Sequence, residues 1–158
     1  MKSRKIIAGV DEVGRGSLIG SVYSAAVILP DHGSSLKLKD SKKLSEKSRV
    51  KLANSLIKES VCISIGIATK DEIDSINIHH ATLLSMKRAV YNLNIEPDLV
   101  LVDGLYQPEV GIDCESIVQG DGKVEQISAA SIIAKVARDY EMNFLHDKFE
   151  MYNFKKNN

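Results

Sequence analysis

The sequence predicts an α/β fold in which helices pack against one mixed sheet of five strands. Three observations favour it: five short apolar runs of strand type, three longer segments with helical periodicity between them, and no repeat, linker or low-complexity segment. The predicted order is strand, strand, helix, strand, helix, strand, strand, helix. With 158 residues, of which 44% are hydrophobic, the chain fits a single domain over residues 1–158.

The first strand leads directly into two acids. Its apolar run, Ile6 to Val10, is followed by Asp11 and Glu12 and then by the turn Gly14-Arg15-Gly16. Because neighbouring strand residues point to opposite faces, the two carboxylates can serve one centre only if the strand ends there and the backbone turns. The glycines permit such a turn. Paired acids there indicate a site for Mg²⁺ or Mn²⁺, and an exposed acidic hairpin turn is the alternative.

The next elements follow from apolar patterning and one helix cap. Val22 to Leu29 forms a second strand, and Ser45 caps an amphipathic helix that ends near Ser60. Alternation from Val61 to Ala68 predicts a third strand covered on both faces. Residues 37–51 are rich in lysine and arginine, so this segment either binds phosphates or forms a solvated helix face.

The fourth predicted strand also ends on an acid, as the first does. The helix before this strand covers residues 71–92 with a break near Asn77, and Pro97 separates it from an apolar run that closes on Asp103 and Gly104. Such a run is typical of a strand buried beside parallel neighbours, with functional side chains at its carboxyl end. A plain turn aspartate is the alternative. Residues 115–118 form a fifth strand, and Asp121 follows it.

The last helix, from about residue 124 to residue 149, contains small residues that allow it to lie close against a sheet. Ser131 and Lys135 are four residues apart and share one face near its start. A hydroxyl, an ammonium group and a helix N-terminus can together bind a phosphate. Lone Ser and Lys pairs of this kind are usually ordinary surface residues.

Composition and charge exclude several classes of protein. The chain has 21 Lys and Arg and 21 Asp and Glu, so any affinity for nucleic acid must come from local patches. No apolar stretch reaches membrane-spanning length and the N-terminus lacks the apolar region of a signal peptide, so we expect a cytoplasmic monomer without membrane contact.

The cysteines and the neighbouring histidines are not expected to bind a metal. Cys62 and Cys114 lack the spacing of metal ligands and are expected to be buried thiols. His79 and His80 point in different directions on a helix and are expected to have surface or packing roles.

Four carboxylates at strand ends carry the chemical prediction: Asp11, Glu12, Asp103 and Asp121. Ligand sets made only of oxygen select Mg²⁺ or Mn²⁺. Two such ions about 3.5–4 Å apart can activate a water and stabilise the leaving oxygen when a phosphodiester is hydrolysed. Acids crowded in this way repel one another unless cations are bound, so metal binding explains why they would cluster.

Five segments carry a resemblance to a known family: Val10-Asp11-Glu12-Val13-Gly14-Arg15-Gly16, Asp40-Ser41-Lys42-Lys43-Leu44, Val102-Asp103-Gly104, Gly120-Asp121, and Ser128 to Asp139. In these segments and in their order along the chain, the sequence resembles ribonuclease HII, the type 2 ribonuclease H family. The match spans nearly the whole chain. Five ordered motifs are far more specific than any single acid pair.

The resemblance implies a ribonuclease H-like fold and an endonuclease that cleaves the RNA strand of RNA–DNA hybrids. It also implies incision at single ribonucleotides in duplex DNA, as in ribonucleotide excision repair, with 3′-hydroxyl and 5′-phosphate products. By the family pattern the four acids bind two catalytic metal ions. Gly14, Arg15 and Gly16 would sense the 2′-hydroxyl at the RNA-to-DNA junction. The candidate phosphate contacts are Lys42, Lys43, Ser131 and Lys135.

The chain departs from the family pattern at three places. Ser21 replaces the proline of the opening motif, and Gln119 replaces the lysine before Gly-Asp. Residues 151–158 stop where family members continue into a segment that supplies a stacking tyrosine, and Tyr152 precedes that position. The alternative function is therefore a truncated remnant that binds hybrids with little or no cleavage. A nucleotide-binding glycine loop is a third option, but the spacing is not GxGxxG and a strand follows.

Overall fold

The computed structural model describes residues 4–16, 20–38 and 41–148, except the side chains of residues 42 and 143–148. Its elements are β1 (Ile7–Val13), β2 (Val22–Ile28), α1 (Glu46–Glu59), β3 (Cys62–Ala68), α2 (Lys70–Tyr91), β4 (Leu99–Asp103), β5 (Asp113–Ile117) and α3 (Glu125–Lys148). Short 3₁₀ turns lie at Ser41–Lys43 and Gly120–Gly122. The predicted element order is confirmed. The predicted helix end at residue 149 and the segment 151–158 lie outside the described residues.

The five strands form one mixed sheet in the order β3-β2-β1-β4-β5. β1 pairs antiparallel with β2 along its length and parallel with β4 up to the pair Val10 and Val102. β4 pairs parallel with β5. The carboxyl ends of β1, β4 and β5 therefore meet at one edge of the sheet, as expected for parallel strands with functional side chains at that edge.

Helices cover both faces of this sheet. One core lies under α1 and α3 and includes Val27, Leu56 and Ile132, and a second core lies under α2 and includes Met86 and Val102. The α/β layer predicted from the sequence is confirmed. None of the helices within the described residues combines the length and apolarity needed to cross a membrane.

Two glycines let helices approach the sheet at backbone distance. A Cβ placed on Gly9 of β1 would lie 2.2 Å from the backbone carbon of Gln126 in α3. A Cβ on Gly66 of β3 would lie 2.1 Å from the carbonyl oxygen of Ser85 in α2. Because real Cβ atoms do not come so close to backbone, glycine is required at both positions.

Two local predictions about helices are confirmed. The Ser45 side chain caps α1 by accepting a hydrogen bond from the Ser48 N–H at 3.2 Å. The break in α2 falls at Asn77, where φ is +72°. The second half of the helix restarts there, because the Asn77 side chain accepts a hydrogen bond from the His80 N–H at 3.0 Å.

The prediction that both faces of β3 are covered is only half correct. Cys62, Ser64 and Ala68 are buried on the face toward α2, whereas Ile67 on the other face is 37% exposed. The reason is topological, because β3 is an edge strand and α1 covers only part of that face. Cys62 is a buried free thiol and Cys114 is a half-buried one.

We expect Gly66→Ala to lower the free energy of unfolding by at least about 1–3 kcal/mol, because the new methyl group meets the backbone of α2 and the helix must shift. Thermal unfolding followed by circular dichroism measures this. Gly122→Ala is the matched control, since a Cβ there meets nothing within 4 Å. Equal melting temperatures for the two variants would contradict the close packing of α2 on β3.

Candidate metal centre and substrate cleft

The first acid pair lies inside β1 and not beyond its end. The sequence predicts that the strand stops at Asp11 and Glu12, but β1 continues to Val13, with Asp11 opposite Ala25 and Glu12 opposite Ser24 on β2. This expectation is wrong because β2 is long enough to pair with both acids, while only the ladder with β4 stops at Val10. Regular alternation would point the two side chains to opposite faces, but both residues line the same cleft at this edge.

Three carboxylates converge at this edge. Asp11, Asp103 and Asp121, called here the acid cluster, each place a carboxylate oxygen within 4.8 Å of the other two. Asp11 is 5% exposed, and the other two residues are partly buried. The parallel pairing of β1, β4 and β5 thus brings together residues from the two halves of the described chain.

Backbone contacts hold the cluster in place. Asp103 is the last residue of β4, and its Oδ1 accepts a hydrogen bond from the Gly120 N–H at 2.7 Å. Gly120 is needed there, because a Cβ would lie 2.6 Å from Ile127 Cδ1. Asp121 lies in the 3₁₀ turn and not directly at a strand end, and its carbonyl accepts a hydrogen bond from the Ser128 hydroxyl. The start of α3 therefore positions the third acid.

Glu12 is close to the acid cluster but outside it. Its backbone N–H donates to Asp11 Oδ1 at 2.8 Å, and its side chain lines the same cleft. Burial raises the pKa of the Glu12 carboxyl, nearby Arg15 opposes that rise, and Asp103 adds to it. Glu12, next to Asp11 on β1, thus adds its negative charge to that of the acid cluster.

The electrostatics of the cluster fit a divalent cation. Burial raises the pKa of Asp11 well above its usual value, and the negative charge of Asp103 is the next largest cause. The Glu12 N–H opposes this rise, and the charges of Glu12 and Asp121 add to it. A buried carboxylate whose ionisation is opposed by neighbouring carboxylates, in a cluster of oxygen donors, matches what a hard divalent ion binds. These residues therefore fit such an ion.

The acid cluster lines an open cleft of about 280 Å³. Ser131 and Lys135, the predicted pair on the last helix, both line this cleft. Arg49 and Ser41 line it as well, although the sequence analysis did not single them out as site residues. Its lining is Asp11, Glu12, Val13, Ser41, Arg49, Asp103, Asp121, Ser131, Ile132 and Lys135.

The other predicted residues whose side chains the structure describes do not line the cleft. Arg15 and Gly16 form an exposed turn after β1. Gly14 has a φ of +95°, and a Cβ there would lie 2.6 Å from Nε of the buried Arg138, so this turn rests on α3. Lys43 is exposed in the first 3₁₀ turn, and the Lys42 side chain and Asp40 lie outside the described residues.

The contact that sequence reasoning missed joins two helices. Asp139 on α3 forms ion pairs with Arg49 Nη1 at 3.2 Å and with Lys135 Nζ at 3.0 Å. The spacing of Lys135 and Asp139, four residues apart on one helix, is a signal for the second pair. No sequence signal links Arg49 to Asp139, because ninety residues separate them.

A mixed sheet with a cluster of three aspartates at its edge fits the class of metal-dependent enzymes that hydrolyse phosphodiesters. Comparison with known proteins gives the family. A family model for ribonuclease HII matches residues 8–158. The chain belongs to the ribonuclease HII family, and it is a metal-dependent endoribonuclease with a ribonuclease H-like fold.

Individual relatives agree with this family. A ribonuclease HII of Hydrogenovibrio crunogenus is 56% identical over 150 residues, which are 95% of this chain and 72% of that protein. A ribonuclease HII of Shewanella piezotolerans is 53% identical over 149 residues, covering 94% and 74% of the two chains. The crystal structure of ribonuclease H2 from Pyrococcus horikoshii matches with a TM-score of 0.80 at 29% identity, covering 90% and 76%.

We expect Asp11→Asn to raise the melting temperature at neutral pH in the presence of EDTA by a few degrees. The raised pKa means that Asp11 favours the fold when protonated, and that this contribution is lost as the pH rises through the folded-state pKa. The difference between wild type and variant should therefore shrink toward pH 4. Exposed Asp113→Asn is the control. A lower melting temperature for Asp11→Asn would contradict the repulsive cluster.

Proposed function

We propose that the protein cleaves the RNA strand of RNA–DNA hybrids and incises duplex DNA at single embedded ribonucleotides, leaving 3′-hydroxyl and 5′-phosphate ends. The observation that supports this most is the convergence of Asp11, Asp103 and Asp121 within 4.8 Å in a chain of the ribonuclease HII family. The proposal treats residues 1–158 as one catalytic domain that acts as a cytoplasmic monomer in ribonucleotide excision repair.

In this proposal Asp11, Glu12, Asp103 and Asp121 are the catalytic residues and hold two Mg²⁺ or Mn²⁺ ions. Such ions, when bound, supply an activated water and stabilise charge on the leaving oxygen. The protein supplies fixed ligands. The Gly120 N–H orients Asp103 and the Glu12 N–H orients Asp11, so little reorganisation of these carboxylates is needed when the ions bind.

Two groups of residues are proposed as substrate contacts. Ser131 and Lys135 line the cleft beside the cluster and would hold a backbone phosphate. Lys42 and Lys43, in the 3₁₀ turn before α1, are proposed as further phosphate contacts. Phosphate contacts position a duplex without reading its sequence. The turn Gly14-Arg15-Gly16 would approach the ribose, because glycine backbone permits close contact and the 2′-hydroxyl is what distinguishes RNA from DNA.

The main test is cleavage of a duplex that contains one ribonucleotide, with Mg²⁺ or Mn²⁺. We expect incision by the wild type and loss of incision in Asp103→Asn, because that change removes one anionic ligand of the proposed metal site. The melting temperature without metal should not fall, since the asparagine oxygen can still accept from Gly120. Asp113→Asn, on the exposed start of β5, should cleave normally. Hybrid binding without incision by the wild type would support a non-catalytic remnant instead.

Arg15 provides a separate test of ribose recognition. We expect Arg15→Ala to weaken discrimination between ribonucleotide and deoxyribonucleotide at the cut site more than it weakens general duplex binding. Competition between a duplex with one ribonucleotide and an all-DNA duplex measures both quantities. Arg4→Ala is the control, because Arg4 is an exposed cation that precedes β1, at the opposite end of that strand. Equal losses of specific and general binding would refute this role of Arg15.

A further inference from the structure

Among the described residues, one carboxylate forms ion pairs with both cations that line the cleft. Asp139 Oδ1 lies 3.0 Å from Lys135 Nζ, and Oδ2 lies 3.2 Å from Arg49 Nη1. The side chain of Asp139 is 12% exposed, and those of Arg49 and Lys135 are 15% and 29% exposed. Arg49 and Lys135, called here the cationic pair, face the cleft, while Asp139 lies behind them. Ion pairs shielded from water in this way are screened less by salt than exposed ones.

The position of Arg49 is fixed from two sides. Its Nη1 donates to Asp139 on α3, and its Nη2 donates to the carbonyl of Leu44 at 3.0 Å, just before α1 begins. Guanidinium has five N–H donors in a rigid planar fork, and these two contacts occupy one on each terminal nitrogen. A guanidinium held in this way presents its other donors in a fixed direction, which suits a planar or tetrahedral oxyanion.

Arg49 and Lys135 each form an ion pair with Asp139. Both cations line the same cleft as the proposed metal ligands Asp11, Glu12, Asp103 and Asp121. The cleft therefore combines carboxylates that suit metal ions with two cations that suit an anionic group. A backbone phosphate of a nucleic-acid strand is such a group.

We propose that Arg49 and Lys135 together bind a backbone phosphate of the nucleic-acid strand that is cut, and that Asp139 is a positioning residue which acts through both. This inference rests on the proposed function and adds to it Arg49 as a substrate contact and Asp139 as its support. The effect of Asp139 on the reaction is indirect, since it lies behind the cleft.

The test measures binding of a hybrid duplex in EDTA, so that cleavage does not enter, together with kcat and KM when Mg²⁺ is present. We expect Asp139→Asn to raise both Kd and KM by about tenfold, the loss of roughly one charge-assisted hydrogen bond, with kcat little changed. Arg49→Gln and Lys135→Gln should each flatten the slope of log Kd against log salt concentration by about one unit. Arg49→Lys, which keeps the charge, should restore the slope.

The matched control is Asp74→Asn, which breaks the Lys70–Asp74 ion pair, also four residues apart on a helix but 60% and 66% exposed. It should change neither Kd nor KM. The decisive variant adds Asp139→Asn to the double change Arg49→Gln and Lys135→Gln. If Asp139 acts through the pair, it adds nothing further in that background.

Three results would overturn the inference: an unchanged Kd and salt slope in the Arg49 and Lys135 variants, an additive effect of Asp139→Asn, or an effect of Asp139→Asn confined to the melting temperature. Each leaves the proposed function intact if the wild type still cleaves its substrate. Conversely, a wild type that binds hybrid in EDTA but does not cleave it with Mg²⁺ or Mn²⁺ refutes the proposed catalysis, while the binding measurements still test the cationic pair.

Discussion

The functional edge of this protein depends on the pairing of β1 with different partners on its two sides. β2 follows β1 antiparallel through Val13, while the parallel ladder with β4 ends at Val10. Asp11 is therefore held in a regular strand by one neighbour and lies just beyond the last pair with the other. Its carboxylate meets Asp103 there, at the end of β4. A shift of one residue in this register would turn Asp11 to the opposite face and disperse the cluster.

Holding these acids together has an electrostatic cost that the rest of the fold offsets. Burial and neighbouring charges raise the pKa values of Asp11 and Glu12, so their ionised forms oppose folding when no cation is bound. Close packing at Gly9, where α3 meets the sheet at backbone distance, fixes the strand regardless of that repulsion. A cation that binds only the folded state then increases stability by mass action. Metal affinity and stability are thus linked through the same carboxylates.

Helix α3 connects the separate parts of the site. Its first turns position Asp121 through Ser128, and its middle contributes Ser131 and Lys135 to the cleft. Further along α3, the buried Arg138 packs against the glycine turn after β1. The packing is so close that a Cβ on Gly14 or Gly20 would crowd the Arg138 guanidinium. Burial lowers the pKa of Arg138, and nearby Glu141 and Tyr23 oppose that change. One helix packed on the sheet thereby sets the relative positions of the acids, the cations and the glycine turn.

Local features of this protein could be predicted from the sequence. Apolar periodicity determined the type and order of the elements, the hydroxyl of Ser45 determined a helix start, and the break at Asn77 was visible in the pattern of α2. The likeness of five ordered segments to one family indicated which acids belong together. These features could be predicted because each depends on residues near one another in the chain, or on motifs that remain together in order.

Only the tertiary structure decided how the acids share the site. It extended β1 past Asp11 and Glu12, and it placed Asp121 in a 3₁₀ turn instead of at a strand end. It also paired Arg49 with Asp139 across ninety residues. The physical reason is that strand pairing and helix packing are set by the whole sheet. Periodicity identifies a strand, but the neighbour with which it pairs determines where it ends and what its side chains meet.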